Sequence, residues 1–173
     1  VASCRSFAGN IHLPNVDEST GHVLVHYLYT SAYQTLDDME TSLVGEANIE
    51  FKKAVLAYTA ANKYSLRGLQ QLSKHKIEHF GAEMNIFNVI EAIKKNFSKL
   101  LCNNPWVYNY LDRKAKTTFK EDHTVFTRNN FFNRINDVAL AKVMAKCIVE
   151  LYNNKVSRML NTEREPVPGI SEE

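Results

Sequence analysis

Apolar residues recur at three- and four-residue spacing along most of this chain, which is the period of amphipathic helices. Asp17 precedes the first such run, "ESTGHVLVHYLYT", and its carboxylate suits the free N–H groups of a helix start. Thr20, Val23, Leu24, Tyr27 and Leu28 share one face of that helix, which is expected to stop at "TSAY". Residues 35–49 are polar, acidic and aperiodic and read as a loop. A second helix, "EFKKAVLAYTAANKY", carries Phe51, Ala54, Val55, Tyr58 and Ala61 on its apolar face. Ser65 reads as the cap of a third, "LRGLQQLSKHKIEHF", with Leu66, Leu69, Leu72, Ile77 and Phe80 inward and Gly81 as its left-handed stop.

The helical period continues to the C-terminal part. "NIFNVIEAIKKNF" is predicted as one helix capped by Asn85, burying Ile86, Val89, Ile90, Ile93 and Phe97. "NNPWVYNYLDRKAKTTF" is predicted to start at Asn104 with Pro105 in its first turn, where a missing N–H costs nothing. Val107, Tyr110, Leu111, Lys114 and Thr118 share a face there, and "TRNNFFNRI" is a short helix or turn. The long "DVALAKVMAKCIVELYNNKVSRML" has Leu140, Val143, Met144, Cys147, Ile148 and Leu151 as its stripe. Its last turns lose the stripe and are expected to fray or project. Residues 161–173, with two prolines and a glycine, read as a disordered tail. "NIHLP" is the single strand candidate, and a lone strand lacks partners for its backbone groups. The fold class expected is mostly α.

Composition changes this picture little. Apolar residues make up 45% of 173, enough for a core, yet no window approaches a membrane-spanning run. "VASCRSFAGN" lacks the apolar segment of a secretory signal, so a soluble intracellular chain, cytoplasmic or nuclear, is expected. Cys4, Cys102 and Cys147 are odd in number and far apart, which argues against a disulfide framework. Residues 1–80 hold seven Lys/Arg against eight Asp/Glu, and the remainder fourteen against eleven, so neither part demands a polyanion.

Three chemistries can be weighed. His22 and His26, like His75 and His79, are four apart and could pair on a metal, but no H-E-x-x-H pattern or nearby cysteine accompanies them. No nucleophile elbow and no glycine-rich phosphate loop occurs, so neither catalysis nor a cofactor is expected. Lys94, Lys95, Lys99, Arg113, Lys114, Lys116 and Lys120 interleave with Trp106, Tyr108 and Tyr110. This stretch, 94–120, is the candidate for a nucleic-acid-associated regulator, against the ordinary reading of solvated lysines over core aromatics.

"IHLPNVDESTGHVLVHYLYTSAYQTL" followed by "EFKKAVLAYTAANKYSLRGLQQLSKHKIE" resembles the second half of a BTB/POZ domain of the fungal type. Tyr27, Leu28, Tyr29, Thr30 and Tyr33 carry the first block, and Ala61, Lys63, Tyr64, Leu66 and Leu69 the second. The resemblance covers residues 10–80 and implies a truncated BTB/POZ-like helical domain over 1–81, with a BACK-like helical region over 82–160. It implies that the sheet, the earlier hairpin and the dimer interface of that fold lie upstream, so that the chain is a fragment, a truncated gene model or a shortened paralogue. Ser31 departs from the family's glycine, and Phe7 lacks the acid that a cullin-recruiting motif carries, which puts a cullin partner in doubt. The implied function is a non-catalytic protein–protein interaction module that self-associates or binds a protein partner, as a ubiquitin-ligation adaptor or a transcription regulator. With the upstream half missing, Val23, Leu24, Tyr27, Leu28, Phe51, Val55 and Tyr58 would form an incompletely covered partner face.

Overall fold

The computed structural model describes residues 13–14, 16–36, 46–101, 105–128 and 131–162. Its elements are α1 (Glu18–Thr30), α2 (Glu46–Lys63), α3 (Arg67–Glu83), α4 (Ile86–Ile93), α5 (Phe97–Leu101), α6 (Trp106–Glu121) and α7 (Val138–Thr162). Two 3₁₀ turns, Val125–Thr127 and Phe132–Arg134, join α6 to α7. The mostly helical class is therefore what the periodicity indicates. There is no strand among the described residues. Of the strand candidate, residues 10–12 lie outside the described residues. Leu13 and Pro14 lie in a turn, with the Val16 N–H donating to the Leu13 carbonyl at 3.3 Å.

Two predicted caps are in place. The Asp17 carboxylate accepts from the Thr20 N–H at 2.8 Å, and the Asn85 side chain accepts from the Asn88 N–H at 2.9 Å. Others differ. α2 starts at Glu46 inside the predicted loop, because acidic and alanine residues form a first turn without any apolar period. The predicted helix over 85–97 breaks at 94–96, where the Asn96 N–H bonds the Ile93 carbonyl three residues back at 2.9 Å. That tightened turn separates α4 from α5 and sends Phe97 into the core. The Asn104 cap and the 163–173 part of the predicted tail lie outside the described residues.

Ser65 is a helix stop and not an N-cap. It sits at φ 58°, with its N–H bonded to the Asn62 carbonyl at 3.3 Å, while the Leu66 N–H reaches the Ala61 carbonyl at 2.8 Å. This pair of bonds closes α2 in the left-handed form that glycine usually occupies. Ser31 closes α1 in the same region, at φ 57°. A Cβ in this region costs about 1–2 kcal/mol, and glycine's extra unfolded-state entropy returns part of it. Ser65→Gly is expected to raise stability by about 0.5–1 kcal/mol, read as a higher urea midpoint with an unchanged slope.

Gly81 does not end α3 but lies inside it, and no glycine among the described residues has positive φ. It is buried where α3 meets the rings of Phe51 and Tyr110.

The core is continuous across the expected boundary at 81–82. One cluster joins Phe51, Val55, Tyr58 and Ile77 to Ile86, Ile90, Phe97 and Leu111, and on to Leu140, Met144 and Leu151. A smaller cluster seats α1, with Val23 and Leu24 on Ala57, Ala60 and Ala61 of α2 and on Leu69 of α3. Three alanines in the facing wall leave room for α1 to approach α2 closely. The helix therefore leans on α2 and α3 of its own chain.

Candidate functional site

The expected partner face divides in two. Val23, Leu24, Phe51, Val55 and Tyr58 are buried within the chain and are core. Tyr27 is half-buried, its hydroxyl lying over Gly68. Leu28 is 65% exposed and Tyr29 88% exposed, with Val25 beside them on the outer side of α1. These three sit at i, i+3 and i+4, so they form one small apolar patch. Only Leu28 and part of Tyr27 among the seven candidates are available to a partner.

The basic stretch is largely engaged. Lys94 pairs with Glu91 at 2.7 Å, Lys116 with Asp112 at 2.6 Å, and Arg113 with Glu78 at 2.8 Å. The Lys114 ammonium donates to the Gly81 and Ala82 carbonyls, both at 2.9 Å, and so caps the open end of α3. Partial burial holds its pKa below the usual lysine value. The Trp106 indole N–H donates to Glu78 at 3.1 Å. Desolvation pushes the Glu78 carboxyl up, but the bonds from Arg113 and Trp106 outweigh it and leave the pKa below the usual carboxylate value. Trp106 and Tyr110 are buried and stacked on each other, so they offer no free ring to a base.

The histidine pairs are not gathered into one site. The His22 and His26 rings stack at 6.0 Å, and His26 Nδ1 lies 3.1 Å from the Thr30 hydroxyl. The His79 ring packs on Phe80. No group of three or more His, Cys, Asp or Glu among the described residues is placed to hold a metal ion. A cavity of about 320 Å³ opens beside the start of α1, between Thr20, Leu56, Thr59 and Lys63. Its one carboxylate, Asp17, is held by the Thr20 N–H and hydroxyl. The Asp17 carboxylate thus serves the helix cap.

A signal missed in the sequence lies at the far end of α7. Among the residues of that helix whose burial is described, Leu151 is the last buried one. Beyond it the helix runs on to Thr162, with Val156, Met159 and Leu160 each more than half exposed, as is Val149 two turns before Val156. These four stand at i, i+7, i+10 and i+11, which is one stripe of a helix. The lost core stripe concealed a second one, rotated away from the bundle. No helix among the described residues is long and apolar enough to cross a membrane.

Comparison with known proteins places the chain elsewhere than in BTB/POZ. Residues 1–84 match the HAC6 N-terminal domain and residues 85–160 the HAC6 small helical domain. A subtelomeric hrmA-associated cluster protein of Aspergillus fumigatus, found in two strains, is 33% identical over 162 residues. That alignment covers 93% of this chain, and the chain spans 41% of the length of those relatives. No solved structure matches. The BTB/POZ and BACK assignments are thereby overturned, and the expectation of a sheet and hairpin upstream, which rested on them, loses its ground. The residues that suggested them serve local needs. The Thr30 hydroxyl donates to the His26 carbonyl at 2.7 Å, and Ser31 turns the chain out of α1. With two abutting HAC6 domain matches over residues 1–160, the chain belongs to the HAC6 family.

Proposed function

We propose that this chain is a non-catalytic helical module that binds another protein through the distal turns of α7. The observation that carries this reading is the exposed stripe of Val149, Val156, Met159 and Leu160. An isolated helix of about ten residues is marginal in water, so the projecting turns gain from a partner that covers their apolar side. The α1 patch of Val25, Leu28 and Tyr29 is a second, smaller contact of the same kind. Cys147 is buried and carries no disulfide, which supports action in a reducing, intracellular compartment.

The test is affinity capture of proteins from an extract of the source cells, with the chain and with a Val156→Asp/Leu160→Asp variant. Both positions are exposed, so the variant keeps its thermal midpoint. The reading expects a protein, or a second copy of the chain seen by light scattering, that the chain retains and the variant loses. Identical retained sets overturn it, as does turnover in a substrate screen.

A further inference from the structure

The last turns of α6 and the distal half of α7 enclose an open groove of about 570 Å³. The two helices run in the same direction here: Lys146 stands over the Tyr108 ring and, further along both, Lys155 stands over the Phe119 ring. Phe119, Leu151 and Met159 supply the groove's apolar surface. Phe119 is held from behind, stacked on Phe126 and met edge-on by Tyr152. The Tyr152 hydroxyl donates to the His123 carbonyl at 2.6 Å, which ties the wall to the turn after α6.

The rim is cationic. Lys116, Lys120, Lys155 and Arg158 line the groove, and no carboxylate among the described residues does. Asp112 neutralises Lys116 from one turn away at 2.6 Å. Lys120 and Lys155 face each other across the groove from α6 and α7. Like charges gathered beside an apolar floor repel each other, and a ligand bearing carboxylates relieves that repulsion while covering the floor.

The floor also selects among anions. A nucleic-acid base needs an open aromatic face, and Phe119 already has Phe126 against its ring and Lys155 above it. Leu151 and Met159 are aliphatic or thioether surfaces that accept a leucine or isoleucine side chain. We propose that the groove binds an acidic amphipathic helix of a partner protein. Its aliphatic side chains seat on Leu151 and Met159, and its carboxylates pair with Lys120 and Lys155. This rests on the protein-binding reading above and names the chemistry of the partner. The groove uses the 151–155–158–159 side of α7 and shares Met159 with the exposed stripe; Lys120 and Lys155 belong to the groove alone and Val156 and Leu160 to the stripe alone, so the two can be tested apart.

The probe is a fluorescein-labelled helical peptide of leucine and glutamate, about 15 residues long, followed by fluorescence anisotropy. Its controls are the same peptide with lysine for glutamate and a single-stranded DNA of equal length. The glutamate peptide is expected to bind and the lysine peptide not to bind, with affinity falling as salt rises. Lys120→Glu/Lys155→Glu is expected to weaken binding by about tenfold or more, and Met159→Ser to weaken it independently. Should the charge-reversed pair fail to fold, Lys120→Ala/Lys155→Ala carries the same test with a smaller loss. The proposal is overturned by absent binding, by binding that ignores both substitutions, or by DNA that binds more tightly than the peptide. If the peptide fails while Val156→Asp/Leu160→Asp still loses a captured protein, the groove's occupant is wrong and the module reading stands.

Discussion

Phe51→Ala is expected to lower the unfolding free energy by about 3–5 kcal/mol, the largest single effect in this protein. The ring is fully buried in α2, 6.5 Å from the Tyr110 ring of α6 and against Gly81 of α3. Removing it takes away the transfer free energy of a phenyl group and leaves a void between three helices. Close packing holds those helices in place, so they cannot collapse into it. Urea denaturation followed by circular dichroism should show a lower midpoint with an unchanged slope. A loss under about 1 kcal/mol would mean that this part of α2 is not core, and would return Phe51, Val55 and Tyr58 to a partner face.

Gly81→Ala is expected to destabilise by about 1–3 kcal/mol, although alanine is the better helix former by about 1 kcal/mol. A Cβ at this position would lie 2.8 Å from Cε2 of Phe51 and overlap the Tyr110 hydroxyl. Both rings are buried, so neither can swing into solvent. Gly68 supplies the contrast within the same helix. The nearest atoms its added Cβ would meet are the hydroxyl end of Tyr27, a half-buried side chain with part of its ring open to solvent. Gly68→Ala should therefore stay within about 1 kcal/mol of the parent. Thermal unfolding of the two variants side by side decides the matter. Tyr110→Phe should recover part of the Gly81→Ala loss, since it removes the overlapping hydroxyl, which has no hydrogen-bond partner. Equal midpoints for both glycine variants would contradict the close packing of α2, α3 and α6.

The candidate site was legible only in part, for a physical reason. Apolar spacing marked Val23, Leu24, Phe51, Val55 and Tyr58 as one side of two helices, but spacing cannot say what lies opposite. A resemblance built on short helix-and-turn signals supplied the wrong neighbour. It left those residues half-covered, where α3, α4 and α6 in fact cover them. The stripe on distal α7 was passed over because it does not continue the phase of Leu140, Met144, Cys147 and Leu151.

By itself the sequence determined what depends on a few adjacent residues: the helical class, the capped starts at Asp17 and Asn85, and the amphipathic sides. Capping and periodicity act over one to three turns and are written where they act. Only the tertiary structure decided that Gly81 is a packing point inside α3. It alone also decided that Lys116, Lys120 and Lys155 share one groove with Leu151 and Met159. Each of these is set by side chains brought together from 15 or more positions away. At such separations the outcome follows from which helix faces find each other, and no local pattern encodes that.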